Sequence, residues 1–160
     1  MTTPSGSWAG PPSEAGPAPG IDFASPGARL VGYIVDILIQ FVAFVVLGVL
    51  SIVLGVIFFP LAILSSLAIV AIAIGYFPYF WVRSGQTPGM SIMKIKVVRD
   101  LDGGPITWGP AILRWIGFYI SHVIFYLGFI WIFIDKRRRG WMDLLGGTVV
   151  VAVPPTGYTS

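Results

Sequence analysis

Three stretches of the chain carry no charge for the length of a helix or more: Ile37–Phe59, Leu61–Val82 and Trp115–Ile134. Each reaches about 20 residues, the length a helix needs to cross a hydrocarbon core of ~30 Å. Only "FFPL" joins the first two, and Pro60 cannot continue a helix without losing a backbone hydrogen bond. The pattern predicts helices over about 28–59 and 61–82, folded as a tight antiparallel hairpin with an uncharged tip, and a third hydrophobic segment over about 107–135.

A different period appears between the second and third segments. Met93, Ile95 and Val97 alternate with Lys94, Lys96 and Val98, which predicts a half-buried strand over about 92–99. "DGG" at 102–104 is turn chemistry suited to a hairpin, and "TVVVAV" at 148–153 is a second β-rich piece. The two strands are expected to meet in a small cytoplasmic sheet at the membrane surface. Residues 1–26, rich in Pro, Gly and Ser, show no apolar period and are expected to form a disordered tail. They have neither a basic nor an apolar signal region, so the first span is expected to be an uncleaved anchor. Residues 27–153 form the membrane domain and 154–160 trail off. The expected fold class is an all-α integral membrane protein: a two-helix transmembrane hairpin plus a third segment, spanning or re-entrant, with the small sheet added.

Composition agrees, with 56% of residues hydrophobic and 11% charged, far too apolar for an ordinary soluble domain. The chain has no cysteine, which removes disulfides, thiolate metal sites and cysteine nucleophiles. The net charge of +3 is modest, and no basic block suggests nucleic acid as a partner. No metal site and no cofactor are expected.

The placement of charge predicts orientation. Arg83, Lys94, Lys96, Arg99 and Arg114 lie between the second and third segments, and loops rich in Lys and Arg stay in the cytoplasm. The N-terminus is therefore expected on the cytoplasmic side of the membrane and Pro60 outside. "KRRR" at 136–139 complicates a single third crossing, because it would place four of the ten basic residues outside. A re-entrant pair of half-helices, about 107–121 and 125–134, keeps both ends inside and is favoured. Lys136, Arg137, Arg138 and Arg139 then face anionic lipid headgroups.

Candidate chemistry begins on the first helix. Arg29 and Asp36, seven residues apart, return to the same helix face, and Gln40 continues that stripe beside Tyr33. Ionisable groups at such depth face a partner or water, not lipid. A lone buried carboxylate can escape by protonation, but an arginine cannot, so an arginine here demands an acid. Arg29, Asp36, Arg114 and Asp143 are expected to form one charge network joining the first helix to the third segment and the C-terminal block. The aromatic group Tyr76, Phe77, Tyr79, Phe80 and Trp81 reads as an interfacial belt. His122 reads as a buried imidazole bonded to a neighbouring helix, and Ser65 and Ser66 as packing residues.

These residues resemble the RDD family of small prokaryotic membrane proteins, named for one arginine and two aspartates, here Arg29, Asp36 and Asp143. The segment "SGQTPGMSIMKIKVVRDLDGGPITWGPAILRW" resembles the family's Gly-x-Thr-x-Gly loop, here Gly85, Thr87 and Gly89, followed by a basic strand and Arg114. "IDKRRRGWMDLLGGTVVV" resembles its closing block, and the likeness covers roughly residues 25–152. Two departures stand out: Met90 where members often carry lysine, and Met142 where they often carry histidine. The resemblance implies transport of ions or small ligands.

Two functions are therefore open. One is a transport or ion-exchange component with Asp36 as the binding carboxylate, which two or three helices could build only as a homo-oligomer. The other is a non-catalytic scaffold or accessory subunit whose charges are structural. No nucleotide loop, HExxH or Gly-x-Ser-x-Gly motif supports an enzyme.

Overall fold

The computed structural model describes residues 21–124 and 127–153. Helix α1 runs Pro26–Ile57 and α2 runs Phe59–Ser84, and both are long and apolar enough to cross a membrane. The start of α1 is set by Ser25, whose hydroxyl accepts the Ala28 N–H at 3.1 Å, with Pro26 in the first turn. A single residue, Phe58, separates the helices. Contacts of Ser51 with Ala62 and Ser66 near the tip, and of Asp36 with Tyr76 near the base, make the pair antiparallel.

Short helix α3 follows at Pro88–Ile92 and leads into strand β1, Ile95–Arg99. Strand β2, Thr148–Ala152, pairs with β1 antiparallel, Ile95 opposite Ala152 and Arg99 opposite Thr148. The "DGG" turn is present, with Gly103 at φ 67° and its N–H bonded to the Arg99 carbonyl at 3.0 Å. It does not make a hairpin: the chain passes on into α4, and the partner strand lies near the C-terminus.

The tail expectation needs correction at its end. Residues 1–20 and 154–160 lie outside the described residues, but Ile21–Ala24 run beside β2. The Ala152 N–H bonds to the Asp22 carbonyl and the Ala24 N–H to the Val150 carbonyl, both at 2.9 Å. Phe23 packs on Val98, Val149 and Val151. The physical reason is that the sheet is apolar on both faces. Val98, expected on the polar side, needs this cover, while Ile95 and Val97 face the main core.

The third segment is broken, which rules out a continuous helix over 107–135. Helix α4 covers Trp108–Val123; helix α5, Leu127–Ile130, with the 3-10 turn Trp131–Phe133, lies at 111° to it. The sixteen residues of α4 extend about 24 Å, short of a ~30 Å core. Gly128 permits the return: a Cβ there would collide with the Ser121 hydroxyl. Helix α6, Trp141–Gly146, then packs back against α4 and leads into β2. The core lies where α1, α2, α4 and α6 meet, around Tyr33, Phe77, Trp81, Phe118 and Met142. Met90 and Met142, the two departures, both fill it.

Candidate functional site: two buried carboxylates

Arg29, Asp36, Arg114 and Asp143 are all buried, at 2% exposure or less. They form two sites instead of one network. In the first, Asp143 takes both arginines: Arg114 Nη1 donates to Oδ1, and Arg29 Nη1 donates to Oδ2 at 2.7 Å. Oδ2 also accepts the Gly140 N–H at 2.9 Å, which ties the carboxylate to the start of its own helix. Arg114 Nη1 reaches the Thr148 hydroxyl at 2.8 Å, and its guanidinium lies over the Trp81 ring at 4.8 Å. Arg29 Nη2 reaches the Val150 carbonyl at 3.4 Å. One acid thus joins α1, α4, α6 and β2.

The second site belongs to Asp36, and here the expected arginine is missing. Among the described residues Asp36 makes no ion pair; its donors are neutral. Oδ1 accepts the Tyr76 hydroxyl and the Gly89 N–H, both at 2.9 Å, and Oδ2 accepts the Thr87 hydroxyl at 2.5 Å. Helical geometry explains the separation. Arg29 and Asp36 share a face of α1 but lie ~10 Å apart along it, and each meets whichever element packs at its own height. At the level of Asp36 that element is the loop after α2.

The glycines and threonine of that loop have separate tasks. Gly85 ends α2 at φ 72°, in the left-handed region, where a Cβ would lie 2.8 Å from the Val97 carbonyl. Thr87 caps α3, accepting the Met90 N–H at 3.2 Å while donating to Asp36. Gly89 lets α3 press on α1, since a Cβ would strike the Gly32 carbonyl oxygen. Gln40 is half-buried further along α1 and joins neither site among the described residues.

Tyr76 is the residue the sequence reading missed, because an aromatic belt accounted for it. That belt divides: Phe77 and Trp81 are core, Tyr76 serves Asp36, and Tyr79 is exposed beside Arg83. The signal was distance from the tip: Tyr76 lies 18 residues after Phe58 and Asp36 22 before it, which a tight antiparallel hairpin brings to within about one helical turn in height. His122 bonds the Phe118 carbonyl of its own helix, at 2.8 Å, and its ring packs on Phe129 of α5. Ser65 and Ser66 both bond carbonyls of α2 itself.

The basic run is likewise split. Arg137 and Arg139 pair with Asp100, and Arg139 also with Asp135, which leaves Lys136 and Arg138 exposed and without an ion pair among the described residues. Burial alone would raise the Asp135 carboxyl, but hydrogen bonds from the Arg139 side chain and from backbone N–H groups hold it below its ordinary value. Among the described residues no cluster of acids and histidines could hold a metal.

The proline-rich antigen homolog of Mycobacterium tuberculosis is 32% identical over 69 residues, 43% of this chain and 29% of the relative. The proline-rich antigen of Mycobacterium leprae is 29% identical over 70 residues, 44% of this chain and 28% of the relative. The chain thus spans less than a third of the curated relatives it matches. No solved structure matches it. The model of the RDD family matches residues 23–147, from Phe23, which bridges to β2, through both carboxylate sites to the end of α6, and the chain belongs to that family.

Proposed function

We propose that this protein is a non-catalytic module of the bacterial cell membrane, a scaffold or accessory subunit, whose buried charges are structural. The observation that carries the reading is the saturation of both acids. Asp143 spends its two oxygens on two arginines and a backbone N–H, and Asp36 spends its own on two hydroxyls and a backbone N–H. Neither is exposed to a ligand. Buried ion pairs of this kind fix which elements meet more than they add stability.

The topology that goes with it has the N-terminus in the cytoplasm, the Pro60 tip outside and a re-entrant third segment. Its support is the sheet, which hydrogen-bonds residues 23, 95–99 and 148–152 together on one side. A chain that leaves Arg99 and returns at Thr148 to the same sheet crosses the bilayer twice or not at all. The 111° bend and the short α4 favour the latter.

Transport is the second reading, and one observation favours it. Among the described residues the donors to Asp36 are all neutral, so no arginine competes with a cation for its carboxylate. Proteoliposomes containing the wild type and Asp36→Asn separate the readings. The structural role expects no cation or proton flux above empty vesicles from either protein, together with a lower melting temperature for the variant. Flux in the wild type that vanishes in a folded, inserted Asp36→Asn overturns it.

A further inference from the structure

A cavity of about 440 Å3 opens between α1 and the bent third segment. Its volume lies within the ~300–1,000 Å3 usual for small-molecule sites. Along α1 it extends from Pro26 to Ile37, about 16 Å at 1.5 Å per residue, and Phe129 and Phe133 form the opposite wall. It is a slot with two unlike ends. Leu30, Ile34 and Ile37 make the α1 wall mostly apolar toward the deeper end, with Tyr33 and His122 the other polar side chains on the lining, while Arg29 lines the end near the helix start.

That end is positively charged. Arg29 and Arg114 share the Asp143 carboxylate, and Asp135, the other acid acting on Arg29, is itself paired with Arg139, so cations outnumber anions at this end. Arg29 Nε is buried with no acceptor among the described residues. Lys136 and Arg138 follow Phe133 by three and five residues and are exposed, whereas Arg137 and Arg139 are committed to Asp100 and Asp135. Arg138 stands at φ 52°, left-handed backbone that turns it out of the run of its neighbours.

We propose that this cavity holds one acyl chain of an anionic phospholipid from the surrounding bilayer. The phosphate lies at the Pro26–Arg29 end, within reach of the surplus charge, and the chain extends toward Ile37. The inference rests on the membrane reading of α1 and α2 and is independent of whether Asp36 transports anything.

The full-length protein is reconstituted in phosphatidylcholine vesicles containing a minor fraction of phosphatidylglycerol with a photoactivatable group in its chain. Parallel arms use phosphatidylcholine or a free fatty acid with the same group, and peptide mass spectrometry locates the label. Phosphatidylglycerol is expected to label Ile34, Ile37, Phe129 and Phe133 above Val46 and Val49, which lie on α1 beyond the cavity. Neutralising Lys136 or Arg138 with glutamine is expected to lower that label about five-fold per charge. Ile34→Trp and, separately, Phe133→Trp fill the slot from opposite walls at positions already exposed, and each is expected to abolish the excess label with melting unchanged. Equal labelling of cavity and control positions overturns the proposal, as does equal labelling by phosphatidylcholine or labelling by the fatty acid alone. Failure of the membrane reading itself has a different signature, since Val46 and Val49 then take no label either.

Discussion

Thr87 donates its hydroxyl to Asp36 at 2.5 Å, and that one bond closes the first helix onto the loop that follows the second. Because the same oxygen also accepts the Met90 N–H, the threonine orders α3 and the aspartate together. Thr87→Val keeps the shape and removes both roles. It is expected to lower stability by about 1–3 kcal/mol, the cost of unsatisfied buried polar groups, while Thr87→Ser retains most of it. Thermal unfolding in detergent compares the two.

Asp143 offers a sharper test, since it neutralises two arginines. Asp143→Ala strands both and is expected to cost at least about 3–5 kcal/mol. Arg29→Met is milder, because Asp143 keeps Arg114 and Gly140. The triple change Arg29→Met, Arg114→Met, Asp143→Leu is expected to regain much of the loss, as apolar replacement of a whole buried ion cluster often does. Melting temperatures that fall progressively through the series would show that the ions contribute more than neutral packing can supply.

Gly89 is a matter of space. Gly89→Ala pushes a methyl group into the Gly32 carbonyl and is expected to cost about 1–3 kcal/mol as α3 lifts from α1. Gly109→Ala, where a Cβ meets nothing within 4 Å, serves as the matched control and leaves melting nearly unchanged. Hydrogen exchange of the α3 amides distinguishes local lifting from general loosening.

The Asp135–Arg139 pair sets a pH boundary. The carboxyl of Asp135 is held below its ordinary value of 3.8, so its contribution is complete at any pH above that and disappears only as pH falls through the lower folded value. The Arg137 and Arg139 amides, which bond to Asp135 Oδ2, are expected to stay protected at pH 5 and above and to open only as pH falls through the folded value, below 3.8. Opening already between pH 7 and 5 sinks this assignment.

The long elements were legible because hydrophobic runs and Pro60 are local signals. So was the meeting of Arg29, Arg114 and Asp143, because buried guanidinium groups need an acid and few acids were on offer. Asp36 was assigned to the wrong company for the same reason. Charge balance says nothing of hydroxyls, and Thr87 and Tyr76 look like a loop residue and a belt residue until the backbone is folded. Ile21–Ala24 were hidden by the composition of the tail before them. Their role depends on β2 having an open edge and an apolar face, which no property of those four residues records.

The bridge between Phe23 and Val151 has a consequence for handling the protein. The segments before Ile21 and after Val153 set out as neighbours, so a linker joining the two could close the chain into a ring. A new opening at the Pro60 tip, remote from both carboxylates, would then give a permuted protein with each long helix beginning or ending at a fresh terminus. A pull on the chain at Ile21 is passed straight to β2, and a pull at Val153 to residues 21–24.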